Sequence, residues 1–507
     1  VLRRRIARVH EVYDSYPDSL IKGVEHPEEP ENLLTSADVT FQPIVEPLHI
    51  GNGTTKSRLV QIGPYDEVIE HLSLLRDDEY MKPLWTASTS NPIGVIAFVP
   101  MLSIMTEITL SNVLDNKEIL QQLKEEKFDV AIAELFDFIG VGVLEAIGLK
   151  NIVGVHTCAL MEGTAFAIGV PVLPSFMPAS LGVTNDSTDV WTRAMNLMFT
   201  YLSYYFQTGI ASAADRVMRN KLGPTATPIW DIVANISWVV VNSEPLMEYD
   251  APTLRKVVEI GGLGVNRPGP LSDDWDRILN LREQTVLISF GTVVPSKTMP
   301  ESMKTAIINV IKSYPKIMFI WKYEDPDDVM FEGIDNVIPS NWTPQNSLLA
   351  DKRLTFFITH GGAGSMMESS LRAKPLIVVP LFGDQTRNAK LIEKFGYGII
   401  LKKARLLNSN ILRSAIDRIL TDPKYQIAAN RISRLLSRRP FSPEEKLVKA
   451  VELAAEFGDL AESKVAGRNL GIIAYYNLDL LFVLTVAFSA LTSLVMYAVL
   501  DYSIVIL

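Results

Sequence analysis

The stretch Phe357–Gln385, FITHGGAGSMMESSLRAKPLIVVPLFGDQ, carries residue types that could bind a phosphorylated ligand. His360 and its glycines follow an apolar run that predicts a buried strand, and Ser365–Ala373 has the pattern of a helix. At the carboxyl edge of a parallel sheet, glycines let the backbone approach a ligand, and a helix start offers unpaired N–H groups. A diphosphate fits such a turn. Alone the turn is weak evidence, since most glycine-rich turns only connect a strand to a helix.

The neighbouring residues add groups suited to a nucleotide sugar. Glu368 could accept hydrogen bonds from a ribose diol, although a first-turn acid that offsets the helix dipole is the simpler reading. Upstream, Trp342 and Gln345 could stack on a base and bond to it, with core packing as the alternative for the indole. Asp384 and Gln385 follow the next strand, where they could hold sugar hydroxyls or simply be solvated. Together these groups outline a site for a nucleoside diphosphate sugar.

Here the sequence resembles a known family. The segment WTPQNSLL…FFITHGGAGSMMES…KPLIVVPLFGDQTRNA, Trp342–Ala389, is similar to the donor-binding signature of the UDP-glycosyltransferases, including the membrane-anchored animal glucuronosyltransferases. ISFGTVVPSKTMPE, from Ile288, resembles the family's other donor loop and puts Gly291 and Thr292 near the phosphates or the sugar. The likeness extends over roughly residues 38–500.

The resemblance implies a role for each residue of the signature. In order along the donor, Trp342 stacks on uracil, Gln345 and Glu368 bind the nucleoside, His360 with Gly362, Gly364 and Ser365 holds the diphosphate, and Asp384 and Gln385 hold the sugar. Many relatives carry asparagine where this chain has Gly364, which removes a side-chain contact but leaves the backbone turn intact.

Apolar runs alternate with helical segments, which predicts an α/β architecture with parallel sheets. Runs of strand type are Ile93–Val99, Val130–Ala133, Ile152–Val155, Trp238–Val241, Val286–Phe290, Ile317–Trp321, Phe356–Thr359 and Leu376–Pro380. Residues 175–230 are rich in Met and aromatic residues and read as helical, either to shape an apolar pocket or only to pack.

The resemblance implies the GT-B fold, two Rossmann-like domains that face each other across a cleft, with the donor in the second. Glycines and prolines in Ile260–Trp275 place the boundary near residue 265. The expected ranges are a divergent segment 1–36, an acceptor domain 37–264, a donor domain with C-terminal helices 265–470, a membrane span 480–500 and a tail 501–507.

Residues 480–500 carry no charge, and at 1.5 Å per residue they span roughly 30 Å, the thickness of a bilayer core. A buried core helix is the alternative. The resemblance implies a single-pass protein of the endoplasmic reticulum with lumenal domains. No signal peptide is recognisable in VLRRRIARVH, and the basic tail of the family is absent from DYSIVIL.

Charge and composition exclude some classes of function. The net charge of −10 argues against nucleic acid as the main partner, because a phosphate backbone requires a basic surface. A single cysteine, Cys158, rules out an intrachain disulfide framework or a cysteine-based zinc site, and the six histidines lack metal-ligand spacing. We therefore expect no metal and no cofactor other than a UDP-sugar co-substrate.

Inverting glycosyl transfer requires a base for the acceptor hydroxyl proton. The resemblance implies a histidine in a loop after the first strand, held by a carboxylate, for which Glu134 is the candidate and Asp137 an outside one. The histidine is not found: His26 lies in an acidic loop, and His156 reads as a satisfied strand-end residue. Two explanations stay open, an incomplete or alternatively started active enzyme, which we favour, or a relative that has lost its base.

The sequence therefore predicts a membrane-anchored hexosyltransferase that moves glucuronate or glucose from UDP to a small lipophilic acceptor. A homo-oligomer is compatible with it. The alternative is a non-catalytic binder of UDP-sugar or lipophiles. A nicotinamide dehydrogenase ranks far behind, because no G-x-G-x-x-G turn with an acid about 20 residues on is present.

Overall fold

The computed structural model describes residues 6–9, 39–43, 58–62, 78–265, 268–458 and 460–506. The strands are β1 Ile6–Val9, β2 Val39–Pro43, β3 Arg58–Ile62, β4 Val130–Glu134, β5 Ile152–His156, β6 Trp238–Val241, β7 Val257–Glu259, β8 Gln284–Ser289, β9 Ile317–Lys322, β10 Val337–Ser340, β11 Leu354–Thr359, β12 Leu376–Val378 and β13 Gly398–Ile400.

The α-helices are α1 Asp78–Thr86, α2 Pro92–Ala97, α3 Val99–Asp115, α4 Lys117–Glu126, α5 Ile139–Ile147, α6 Glu162–Ile168, α7 Val190–Leu222, α8 Ile229–Asn235, α9 Asp273–Leu279, α10 Glu301–Lys312, α11 Gln345–Ala350, α12 Ala363–Leu371, α13 Gln385–Lys394, α14 Ser409–Thr421, α15 Lys424–Leu436, α16 Pro443–Phe457, α17 Ile472–Tyr475 and α18 Leu478–Ile506.

These strands form two parallel sheets, as the alternating pattern predicted. The first has the order β3-β2-β1-β4-β5-β6-β7 and the second β10-β9-β8-β11-β12-β13. Strands β4, β8, β9 and β11 are buried over almost their whole length. This is the burial expected of parallel strands covered by helices on both faces, and it explains why they read as continuous apolar runs.

The segment predicted to be divergent, residues 1–36, contributes a strand to the first sheet. β1 lies between β2 and β4, with Val9 paired to Ala133. The four residues IARV thus occupy a place in the sheet for which the sequence analysis found no strand. The segments around His10, His26, His49 and His71 lie outside the described residues.

One predicted strand, Ile93–Val99, is wrong. These residues form α2 and the start of α3, which follow each other around Phe98. Asn91 caps α2 by accepting a hydrogen bond from the Ile93 N–H at 3.1 Å, and Pro92 occupies the first turn, where its missing N–H costs nothing. The cap and the proline override an apolar run that is compatible with either structure.

The C-terminal helix α16 packs on the first sheet, not with the second domain as the predicted range 265–470 has it. Leu447, Val451 and Ala454 of α16 share a buried cluster with Val130 and Val153 of the first sheet. The Asn151 side chain donates to the Ala454 carbonyl at 2.7 Å. The chain therefore crosses back to the first domain after completing the second.

Helix α1 makes the opposite crossing. Trp85 is fully buried among residues of the second domain, edge-to-face with Phe290 at 5.3 Å, and its indole N–H donates to the Thr298 hydroxyl at 3.0 Å. Met81 lies in the same cluster. A helix from the range predicted for the acceptor domain thus completes the core of the other domain.

The Met- and aromatic-rich region 175–230 is helical only from residue 190 onward. Its main element is α7, whose 33 residues pack along α3, and α8 follows it. Asp189 starts α7 by accepting from the Thr192 N–H at 3.0 Å. Phe199 and Ile210 are fully buried on the inner side of α7.

The predicted span 480–500 lies within α18, a 29-residue helix. Its part Leu478–Tyr497 has a mean hydropathy of 2.1, and none of its most apolar window is buried. A helix of this length and composition is a candidate membrane span. Pro92–Asp115 passes the same test of length and composition, with a third of its window buried.

Replacing Trp85 with alanine should destabilise the second domain. The change removes a fully buried indole and its hydrogen bond, a loss of about 3–5 kcal/mol by comparison with other core deletions. Thermal unfolding of the full chain in detergent measures it. Val329→Ala, an exposed position of the same domain, serves as control and should change stability by less than ~0.5 kcal/mol. Equal melting temperatures for both variants would contradict the packing of α1.

Candidate functional site

Two glycines, Gly291 and Gly362, lie so close to the His360 ring that no residue with a side chain would fit at either position. A Cβ added at Gly362 would lie 2.6 Å from His360 Nε2, and one at Gly291 would lie 2.8 Å from Cε1. Gly291, with φ of +85°, directly follows the loop residue Phe290 at the end of β8, so two loops approach the same imidazole. Thr292, next along the loop, is exposed. The structure therefore brings the two predicted donor loops together at the carboxyl edge of the second sheet.

His360 is held neutral at physiological pH. Burial lowers its pKa to about 4, although a hydrogen bond to the Ser289 backbone opposes the shift. Behind the ring, Gly361 adopts φ of +88°, and a Cβ there would lie 2.7 Å from Val378. The imidazole can thus give or accept a hydrogen bond at a ligand without bringing a charge.

The start of α12 is open. Gly362 is its N-cap residue and supplies no side chain to the free N–H groups. A Cβ at Gly364 would meet nothing within 4 Å, so the surface beside the first turn is unobstructed. An anion placed there would meet the unpaired N–H groups and the positive end of the helix dipole.

Gln345, Ser365 and Glu368 form one hydrogen-bonded group. The Gln345 amide donates to the Glu368 carboxylate at 2.5 Å and to the Ser365 hydroxyl at 3.1 Å. Gln345 is the first residue of α11. The loop directly before this helix contains Trp342, whose side chain is half-buried. The amide fixes the carboxylate next to the first turn of α12, so the predicted nucleoside-binding residues are adjacent in space.

Asp384 lies at the start of α13. Asn388, which was not predicted as a site residue, links it by hydrogen bonds to the turn His360–Gly364, hereafter the glycine turn. Asn388 donates to the Asp384 carboxylate at 2.9 Å and to the Gly361 carbonyl at 3.0 Å. Burial raises the pKa of Asp384. Asn388 lies four residues after Asp384 on the same helix, and this spacing was the one sequence signal for their contact.

The Gln385 side chain is directed into the loop that precedes α13. Its side-chain oxygen accepts from the Leu381 and Phe382 N–H groups at 2.8 and 3.1 Å, and the residue is buried. In this arrangement the amide oxygen shapes the loop that presents Asp384. The sequence could not distinguish this inward orientation from the predicted one toward a sugar.

Lys322 is a second residue that the sequence analysis missed. It ends β9, is buried, and donates to the Gly291 carbonyl at 3.2 Å and to the Glu324 carboxylate at 2.6 Å. The ammonium group thus orients the peptide next to the imidazole. A lysine at the end of an apolar strand gives little sign of such a contact.

At the edge of the first sheet, Glu134 ends β4 and Asp137 follows it. Burial raises the pKa of Glu134 to about 8 and that of Asp137 to about 7, while backbone hydrogen bonds lower both. Asp137 accepts from the Ile139 N–H at 2.8 Å and so begins α5. Glu134 Oε1 has no hydrogen-bond partner in the described part of the chain.

His156 belongs to a buried network. Its Nε2 lies 2.9 Å from the Thr164 hydroxyl, which also accepts from Gln207, and its Nδ1 lies 4.0 Å from Glu134. The ring is fully buried, which lowers its pKa to about 3. Its Nε2 is engaged inside the core, but its buried Nδ1 has no hydrogen-bond partner among the described residues, so the expectation of a satisfied strand-end histidine holds for one ring nitrogen and not for the other.

The two sheet edges face each other. Cys158, which follows β5, lies close enough to Glu134 on one side and Asp384 on the other for both carboxylates to raise its pKa, in addition to its burial. Across the same cleft, Arg387 of α13 pairs with both oxygens of Glu248 at 2.6 and 3.0 Å and stacks on Tyr249. Asp384 of the second domain and Glu134 of the first thus both lie near Cys158, where the two domains meet.

The part of the chain that the structure describes from residue 78 onward contains no cluster of His, Cys, Asp and Glu that could hold a metal ion. The polar groups of the cleft are instead backbone N–H groups, an imidazole, amides and carboxylates. Such groups recognise an anionic, hydroxyl-rich ligand directly.

Replacing Glu134 with glutamine should reduce the pH dependence of stability. The folded chain keeps the Glu134 proton up to about pH 8, whereas an unfolded chain releases it near 4.5, so stability falls as pH rises through this window. The melting temperature of the variant should therefore drop less between pH 6 and 9 than that of the wild type. Glu118→Gln, at an exposed position, is the control. Parallel curves for all three proteins would contradict the burial of this carboxyl.

Comparison with known proteins gives a consistent result. Residues 78–504 match the family model "UDP-glucoronosyl and UDP-glucosyl transferase". Similar relatives include the putative UDP-glucuronosyltransferase ugt-48 of Caenorhabditis elegans, 29% identical over 72% of this chain and 70% of the relative. UDP-glucuronosyltransferase 3A1 of Bos taurus is also 29% identical, over 74% and 72%.

Solved glycosyltransferases share the fold. Os79 from O. sativa in complex with UDP superposes with a TM-score of 0.54 at 16% identity, covering 82% of this chain and 93% of that one. Spinosyn forosaminyltransferase SpnP has a TM-score of 0.55 at 15% identity, covering 90% and 100%. The residues that match the family model include both Glu134 and the glycine turn. The similar solved structures confirm the predicted GT-B fold. The chain belongs to the UDP-glycosyltransferase family, whose members transfer a sugar from a UDP-sugar.

Proposed function

We propose that the chain is an inverting UDP-glycosyltransferase that moves glucuronate or glucose to a hydroxyl of a small lipophilic acceptor. The observation that carries the proposal is the glycine turn around His360, with the Gln345–Glu368 pair on one side and Asp384 on the other. In this order a nucleoside, a diphosphate and a hexose would lie in one line along the sheet edge.

The donor would be bound without a metal or cofactor. Trp342 supplies a plane for the uracil ring, and Glu368, held by Gln345, accepts from the ribose. The diphosphate lies on the open start of α12 beside neutral His360, and Asp384 binds the sugar. Attack by the acceptor oxygen forms the new bond to the anomeric carbon, the bond to the UDP oxygen breaks, and UDP leaves with the electron pair.

The acceptor proton needs a base on the first-domain side. His156 does not suit this role, because it is buried with its Nε2 on Thr164. We propose Glu134 for this role: with a pKa of about 8 it is partly ionised near neutral pH, and the ionised fraction can take the proton directly or through an imidazole, so transfer should become faster as the pH rises toward 8. Gln207 and Thr164 fix the adjoining backbone, since the Gln207 amide also donates to the Leu135 carbonyl at 3.2 Å.

We further propose that α18 anchors the chain as a single span in the endoplasmic reticulum membrane, with both domains lumenal. Its exposed apolar surface and the aromatic pair Tyr475 and Tyr476 before it support the anchoring. The animal relatives named as UDP-glucuronosyltransferases support the choice of glucuronate. An acceptor dissolved in the bilayer would then be close to the enzyme.

The alternative is a relative that binds UDP-sugar without transferring it. Single-turnover measurements with the full chain, UDP-glucuronate or UDP-glucose and a lipophilic phenol distinguish the two, beside UDP affinity by calorimetry. We expect both binding and transfer, with transfer lost and UDP affinity kept in Glu134→Gln. Tight UDP binding with no transfer by the wild type would establish the binder instead, and no affinity for UDP would reject both.

Two glycine substitutions in the same turn should have opposite outcomes. Gly362→Ala places a methyl group 2.6 Å from the His360 ring, so the turn must shift, and UDP affinity should fall by at least about tenfold, or ~1.4 kcal/mol. Gly364→Ala, two residues on in open space, is the matched control and should bind UDP like the wild type. Calorimetric titration of both variants measures the difference. Equal affinities would show that UDP does not bind at this turn.

A further inference from the structure

The exposed side of α7 changes in character along the helix. Its first half exposes Trp191 (73%), Leu197 (61%) and Tyr201 (66%), together with Tyr204 and Tyr205. Only one residue between Val190 and Ala214, Arg193, is charged. The second half exposes Arg216, Arg219 and Asn220, as a water-facing helix does. Surface helices normally turn polar residues outward along their whole length, so the first half requires another environment.

Exposed apolar side chains are also present on α2, which packs against α7. Val95 of α2 packs against the buried cluster of Phe199 and Leu202, and Ile93 (67% exposed) and Ile96 lie on the same short helix. We define the aromatic face by six exposed residues, Ile93, Ile96, Trp191, Leu197, Tyr201 and Tyr204. Large exposed apolar side chains gathered on two helices that pack against each other mark an interaction site.

The aromatic face is next to the point where the chain enters α18. Tyr204 makes an edge-to-face contact with Phe166 of α6 at 5.4 Å between ring centroids. The turn that ends α6 holds the segment before α18: a Cβ at Gly169 would lie 3.3 Å from both Val465 and Arg468. Further along, the Tyr476 hydroxyl donates to the Val172 carbonyl at 3.3 Å, two residues before α18 begins. The face and the candidate span are therefore connected through α6.

We propose that the aromatic face lies on the membrane surface, with its side chains at the boundary between headgroups and acyl chains. The inference rests on the proposed anchoring by α18, which brings the face to the bilayer. Trp and Tyr are the residues that prefer this boundary. With a single cation, Arg193, among its central residues, the face binds through apolar burial and not through attraction to anionic lipid. Phosphatidylcholine is therefore a sufficient partner.

This docking would direct the first domain toward lipid-borne acceptors. Helix α7, which carries most of the face, also carries Gln207, whose amide donates to the Thr164 hydroxyl of α6 at 2.9 Å and to the Leu135 carbonyl at 3.2 Å. The outer side of α7 would thus contact the bilayer while its inner side holds the backbone that directly follows Glu134.

A fluorescent probe can test the contact in the full chain. Cys158 is the only cysteine, so a Cys158→Ser background allows a single nitrobenzoxadiazole label to be introduced through Tyr201→Cys. The labelled chain is reconstituted in phosphatidylcholine vesicles that contain nitroxide-labelled phosphatidylcholine. We expect a blue-shifted emission and loss of most of the fluorescence. Arg219→Cys, on the polar half of the same helix, is the matched control and should stay unquenched.

Two further positions complete the test. Leu197→Cys provides a second site on the face if the first variant does not fold, and it should behave in the same way. Val486→Cys in α18 reports on the anchoring itself. Quenching at Val486 but not on the face would overturn the docking while the anchoring stands. No quenching at any position would reject both.

The same fluorescence experiment would also detect a protein, instead of lipid, on the aromatic face. A blue shift at Tyr201 that disappears on dilution and is insensitive to the nitroxide lipid would show that a second copy of the chain covers the face. That result would overturn the proposal as well.

Discussion

The site depends on one steric constraint, the approach of two backbone segments to the His360 imidazole. Gly291 and Gly362 lie where any Cβ would overlap the ring, and Gly291 also adopts a φ that favours glycine. The close approach keeps the start of α12 open and puts its N–H groups beside a neutral ring. Gln345, Asn388 and Lys322 then fix the surrounding carboxylates and carbonyls by hydrogen bonds. The shape of the site thus depends on missing side chains as much as on those present.

The cleft shows how burial adjusts chemistry on its two sides. Desolvation lowers the pKa of the histidines at both sheet edges and raises that of the acids Glu134, Asp137 and Asp384. Each of these groups is therefore biased toward its neutral form. The bidentate pair of Arg387 with Glu248 keeps full charges nearby, but they neutralise each other where α13 meets the first domain. A neutral cleft of this kind could admit apolar acceptors and still hold proton-transfer groups.

The sequence was sufficient to predict the second sheet and the position of the donor loops, because strands such as β9 and β11 are buried on both faces and the residues of the turn are contiguous. It was insufficient where long-range packing decides. The apolar run Ile93–Val99 has no intrinsic preference strong enough to resist the Asn91 cap and Pro92. Asn388 and Lys322 contact residues 27 and 31 positions away, and although the spacing of Asn388 from Asp384 hints at their own contact, nothing local in the sequence indicates the contacts with Gly361 and Gly291. Gln385 was placed at the correct edge, yet its orientation depends on two N–H groups of its own loop.

Because α1 packs in the core of the second domain and α16 packs on the first sheet, neither domain is a continuous stretch of the chain. A fragment cut near residue 265 would leave the first half without Leu447, Val451 and Ala454, exposing a hydrophobic sheet surface to water. The other fragment would lose Trp85 and keep a hole in its interior. Excising either half as an independent recombinant unit therefore requires carrying over a helix from the far end of the chain. For the same reason, full separation of the two domains would disrupt two hydrophobic cores at once.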